Sequence, residues 1–88
     1  MLSELTATEK VVGLKQTRRA IEEGRAAKAF VACDAESRLR EPLILLCKTK
    51  GVPSEVHWTM KELGKACGIA VGTAAAAVLT AENEISPE

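Results

Sequence analysis

The stretch Val11–Ile21, VVGLKQTRRAI, decides how the chain is read. Two β-branched residues run into Gly13, and good helix formers carrying three cations follow. Glycine reaches backbone angles closed to other residues, so a short strand turning sharply into a helix is the expected local structure. At ~100° per residue, Lys15 and Arg19 fall on one side of that helix with Arg18 beside them. Leu14, Thr17 and Ile21 fall on another side and can face a core. Gln16 stays near the helix start, where free N–H groups also point outward. These residues carry two readings. Arg18–Glu22 and Arg19–Glu23 are i,i+4 pairs of an ordinary solvated face. A cationic cluster beside an amide and open N–H donors is also a receptor for a phosphate backbone and a base edge.

With 88 residues the chain has room for one domain and one modest core. A 47% apolar and 27% charged composition is that of a folded globular chain rather than a disordered one. Twelve basic residues balance twelve acidic ones, which argues against broad electrostatic attraction to nucleic acid. The balance hides a skew: Lys10 to Lys28 is net basic while both termini are acidic, so a local cationic site remains open. Glu4, Glu9 and Lys10 interrupt any signal-like segment. The apolar run Ala66–Leu79 is broken by glycine and too short for a bilayer, so a cytoplasmic protein without membrane contact is expected. Cys33, Cys47 and Cys67 are widely spaced, with no CxxC and no histidine at ligand spacing; each reads as a small buried residue.

Outward from the opening stretch, Ser3–Lys10 reads as a short helix with Thr6 and Glu9 as a capping box, and Gly24 ends the helix that follows Gly13. Ala29–Cys33 (AFVAC) reads as a strand covered on both faces, with Asp34 making a turn bond to its own backbone. Leu39, Leu43, Leu46 and Cys47 form a helical stripe; Pro42 suits a first turn, so that helix is expected to start near Glu41 and stop at Gly51. Glu55–Trp58 reads as a strand with Val56 and Trp58 on one side and Glu55 and His57 on the other. Thr59-Met60-Lys61-Glu62 is a capping box opening a helix whose Met60, Leu63 and Cys67 face inward. Ala74–Thr80 is a small-residue strand. The alternation predicts a three-layer α/β/α sandwich around one sheet, as a single domain over residues 1–81 with an acidic tail over 82–88.

No GxGxxG, GxxxxGK[ST], HExxH or GxSxG motif is present, so an enzyme reading has little to carry it; Asp34 with His57 at a sheet edge is the remaining catalytic alternative. Phe30 and Trp58 are the only aromatics, which removes a stacking platform for single-stranded RNA. Lys61–Gly72, KELGKACGIAVG, places Gly64, Gly68 and Gly72 four residues apart. Close backbone packing explains Gly64, and a helix stop explains Gly68. Ile69 and Val71 in a glycine-bounded turn, with Lys61 and Lys65 on the preceding helix, suit a surface that covers an extruded base.

Together, Gly13-Leu14-Lys15-Gln16-Thr17, Lys61-Glu62-Leu63-Gly64-Lys65-Ala66-Cys67-Gly68 and Ile69-Ala70-Val71-Gly72 resemble the L-seven-Ae and L-thirty-e superfamily of ribosomal proteins, above all its small bacterial kink-turn-binding members. The resemblance spans roughly Lys10 to Leu79. It implies an α/β/α sandwich with a four-stranded mixed sheet and binding to kink-turns, bent helix–bulge–helix RNA elements with tandem sheared G·A pairs. On that resemblance Gly13, Leu14, Lys15 and Gln16, with Arg18 and Arg19 one turn on, meet the widened major groove. Ile69, Ala70 and Val71 cover the extruded nucleotide, flanked by Lys61 and Lys65. Lys15-Gln16 resembles the bacterial version of an archaeal Asn-Glu pair, whereas Ala70 departs from the Glu of many relatives. The resemblance implies binding to structured RNA such as ribosomal RNA or a riboswitch, with no catalysis, cofactor or metal; a monomer is expected, although no residue pattern fixes the oligomeric state. The alternative is a ribonucleoprotein interaction module that uses the apolar loop against a protein.

Overall fold

A computed structural model describes residues 9–80; the expected N-terminal helix and the acidic tail lie outside the described residues, except that Lys10 opens a strand. Elements follow in the order β1 (Lys10–Val12), α1 (Leu14–Glu22), β2 (Ala26–Ala32), α2 (Ser37–Lys50), β3 (Ser54–Trp58), α3 (Met60–Ala66) and β4 (Ala75–Leu79). The strands make one mixed sheet in the order β1-β4-β2-β3, antiparallel except for the β2–β3 pair. On one face Ala20 and Ile21 of α1 and Leu43 and Cys47 of α2 close over Ala29, Val31, Ala75 and Ala77. On the other, Leu63 and Cys67 close over Phe30, Ala32, Ala76 and Val78. Helices cover both faces, as the alternation predicts. The all-alanine start of β4 lets both layers approach the middle of the sheet.

β2 begins at Ala26, three residues before the apolar run, because Ala26 pairs with Leu79 and Lys28 with Val78. Lys28 disguised the strand. Its Nζ lies 5.6 Å from the Phe30 ring centroid and 2.6 Å from Glu55 Oε2, so the sheet surface accommodates the charge. Cys33 leaves the ladder, donates its N–H to Trp58 O, and is exposed rather than buried. Cys47 and Cys67 are buried, and burial pushes both thiols up.

α2 starts at Ser37, not Glu41, and therefore carries Pro42 inside it. The turn ahead of the proline holds because Glu36 O accepts from both Leu39 N and Arg40 N, while Arg40 Nη1 donates to the carbonyls of Cys33 and Ala35. Leu39 consequently sits at the surface, and Leu43 and Cys47 carry the buried stripe. Asp34 does not bond its own turn; Oδ1 accepts from Met60 N at 2.8 Å, tying the end of β2 to the start of α3. Held at that rim, Met60 is exposed rather than inward, whereas Leu63 and Cys67 are buried. The Thr59–Glu62 capping box forms as expected.

Strict alternation fails in β3. Phe30 pairs with Glu55 and Ala32 with Trp58, so β3 spends three residues against two of β2. The bulge sends Val56 to the α1–α2 face and Trp58 to the α3 face, instead of the shared side expected. It also aims Trp58 Nε1 at Glu55 Oε1, 2.9 Å away, with His57 Nε2 at 3.4 Å from the same oxygen. The bond from Lys28, then that from Trp58, lowers the Glu55 carboxyl from 4.5 to about 2. A carboxyl depressed on folding contributes stability above its unfolded pKa and loses it as pH falls through the folded one. Chemical unfolding of the parent should therefore lose on the order of 1–3 kcal/mol between about pH 5 and about pH 2 that Glu55→Gln does not lose, solvent screening favouring the low end.

Candidate nucleic-acid interface

The site is built where β1 ends and β4 begins. Gly13 caps α1 at φ 109° and ψ 151°, a conformation open in practice only to glycine, with no side-chain cap and no acidic residue in the first helical turn. The orphan N–H groups of that turn therefore face outward uncapped. Thr17, Ala20 and Ile21 turn inward and are buried, which leaves Lys15, Gln16, Arg18 and Arg19 exposed as the spacing predicts. With Glu22 they line a shallow depression along the helix. Leu14, expected both to face the core and to meet the groove, is half-buried and packs against the core.

Of the two i,i+4 pairs, Arg19–Glu23 forms at 3.4 Å. Arg25 supplies the main bond that lowers the Glu23 carboxyl, and the Arg19 charge adds to it. Arg18 makes no ion pair among the described residues, and neither does Lys15. Cations thus remain available on the surface of α1 beside uncapped N–H donors, an arrangement that attracts anionic oxygen.

The second segment is the turn from Gly68 to Gly72. Ile69, Ala70 and Val71 are all exposed, Val71 at 70%, and line a depression with Lys61 and Lys65. Its backbone is clamped to α3: Ile69 N donates to Gly64 O at 3.0 Å and Thr73 N to Met60 O at 3.1 Å. A Cβ on Gly64 would collide with Val71 O and lie 2.9 Å from Gly72 Cα, while one on Gly72 would lie 3.0 Å from Met60 O. Gly64 and Gly72 are therefore the seat of the turn, and Gly68 is its hinge at the helix end. Apolar side chains stay exposed here because the backbone contacts, not their burial, hold the turn.

Ala75 joins the two segments. Its carbonyl accepts from Gly13 N at 2.9 Å and from Thr73 Oγ1 at 2.9 Å, the latter bond buried. The start of the cationic helix and the end of the apolar turn thus share one acceptor on the central strand. Thr73 and Ala75 were not singled out in the sequence, since neither belongs to a motif there. The catalytic alternative finds no support in this geometry, since Asp34 is spent on the Met60 N–H and His57 stands beside Glu55.

The family model described as Ribosomal protein L7Ae/L30e/S12e/Gadd45 family matches residues 2–86. The chain belongs to this family. A Geobacillus thermodenitrificans protein named RNA-binding protein is 45% identical over 75 residues, covering 85% of this chain and 92% of that one. A second RNA-binding protein, from Caldanaerobacter subterraneus, is 38% identical over 82 residues, covering 93% of this chain and all of that one. Among solved structures, the Giardia lamblia 15.5kD RNA binding protein superposes with a TM-score of 0.84 at 24% identity, over 93% of this chain and 72% of that one. That likeness bears on the fold alone. No helix among the described residues is long and apolar enough to cross a membrane.

Gly64→Ala tests the clamp with an unambiguous sign. Helix propensity alone would make alanine stabilising by up to ~1 kcal/mol, whereas the collision with Val71 should destabilise by about 1–3 kcal/mol in denaturant unfolding.

Proposed function

We propose that this chain is an RNA-binding protein that recognises kink-turns and stabilises them by binding only their bent form. The observation that carries the reading is the Ala75 carbonyl shared by Gly13 and Thr73, which sets the cationic helix start and the exposed apolar turn on one rim. Lys15, Gln16 and the free N–H groups of the first turn of α1 would meet base edges and phosphates in the widened major groove. Arg18 and Arg19 would follow the backbone one turn on. Ile69, Ala70 and Val71 would cover the extruded nucleotide, with Lys61 and Lys65 at the adjoining phosphates. The names of the relatives and the family membership agree with this role.

Recognition of this kind rests on shape and a few edge contacts rather than on bulk charge, in keeping with twelve basic residues balanced by twelve acidic ones. A modest salt slope follows, set by roughly three to five phosphate neighbours. The target is a structured RNA of the ribosome or a riboswitch in the cytoplasm, and no step of the binding calls for a cofactor.

A gel shift with a kink-turn duplex, against the same duplex with its G·A pairs changed to Watson–Crick pairs, tests the reading; equal affinity for both rejects it. Gln16→Ala and Arg19→Ala should each lose on the order of 1–3 kcal/mol of binding while the melting temperature stays within a degree or two of the parent. Loss of fold in either variant would instead give those residues a structural role.

A further inference from the structure

The outer face of α2 takes no part in the rim just described. Glu41, Leu45 and Lys48 lie within about 60° of one another on the helix, opposite the buried Leu43 and Cys47. Leu45 is 64% exposed, more than any other large aliphatic residue described except Val71. With Pro42 and Ile44 these three line a mostly apolar depression. Its hydrocarbon centre is flanked by the Lys48 ammonium and by the Glu41 carboxylate, which also lies 3.8 Å from Arg40 Nη2.

The order of those charges identifies what fits there. Glu41 and Lys48 stand on either side of Leu45, seven positions apart, which is close to two helical turns. In an antiparallel pairing of two α2 helices about a two-fold axis near Leu45, position 41 of each copy faces position 48 of the other. The carboxylate of one then meets the ammonium of its partner twice, over leucine against leucine. A parallel pairing would instead oppose like charges. From this self-complementarity we infer that α2 is a docking surface for a second copy of the chain, forming a weak two-fold dimer. One helix-on-helix contact stays below about 1,200 Å², the range of transient encounters, so association is expected only at high concentration.

The pairing would leave both RNA rims free. β2 ends at the rim, where Ala32 N bonds Ala74 O, and α2, which joins it to the parallel β3, runs back from that end. Antiparallel pairing therefore sends the two rims to opposite ends of the dimer, each able to hold a separate bent RNA.

Sedimentation equilibrium on the full chain without RNA, from about 10 μM to about 1 mM, tests this. The weight-average mass should climb toward that of two copies. Glu41→Lys and Lys48→Glu should each weaken association about tenfold, and the double variant should recover to within about threefold of the parent. Leu45→Glu should remove association. A flat mass at every concentration, association that survives Leu45→Glu, or a double variant that stays as weak as the singles would each overturn the dimer. The charge-swapped pair decides the matter should Leu45→Glu fail to fold. Affinity for a kink-turn duplex should be unchanged in every folded variant, so this test and that of RNA recognition fail separately.

Discussion

Two hydrogen bonds to one carbonyl organise the candidate interface. Ala75 O receives the Gly13 amide from the sheet edge and the Thr73 hydroxyl from the incoming turn. The first bond lets α1 leave the sheet at an angle that only a glycine permits. The second holds the end of a turn whose own side chains contribute little burial. Neither bond is strong by itself, since an intramolecular hydrogen bond nets about 1 kcal/mol, but the buried Thr73–Ala75 bond would leave orphaned polar atoms if broken. Geometry more than energy makes the junction matter: it ties residues some sixty positions apart to one strand end.

A second constraint is space. Ala75, Ala76 and Ala77 form the first part of β4 and are wholly buried, with one helical layer against each face. Small side chains there permit close approach but supply little apolar area. Bulk comes instead from Phe30, Ile21 and Leu63, which are fully buried. The same economy of space recurs at Gly64 and Gly72, where two backbones meet without intervening side chains. Rigidity of the turn thus follows from the absence of side chains at two positions.

Much of the architecture was legible in the residues because periodicity and punctuation agreed. The Thr59–Glu62 capping box, the glycine after each helix and the alternation of apolar runs marked five of the seven described elements close to their observed bounds, and Lys15, Gln16, Arg18 and Arg19 were placed outward by spacing alone. What escaped was tertiary. Lys28 hid the first half of β2 because it interrupts the apolar run; Phe30 of the same strand offers it an aromatic face, but the Glu55 carboxylate that pairs with it comes from β3. The bulge in β3 breaks a period of two and leaves no mark in SEVHW. Pro42 misdirected the start of α2, since the Arg40 clamp that steadies the turn before it depends on carbonyls brought near by folding. Leu14, read both as core and as interface, is half-buried and packs against the core.

The order of the strands carries a consequence for how the domain comes into being. β4 is the last strand described in the chain yet lies between β1 and β2, so neither of those earlier strands meets the other directly. During synthesis, which proceeds from the amino end, β1 waits beside no neighbour until nearly the whole domain has emerged. The Ala75 acceptor arrives with that late strand. A nascent or truncated chain would thus display the cations of α1 without the strand end that orients them, and the two segments of the candidate interface would come together only when translation of the domain is almost finished.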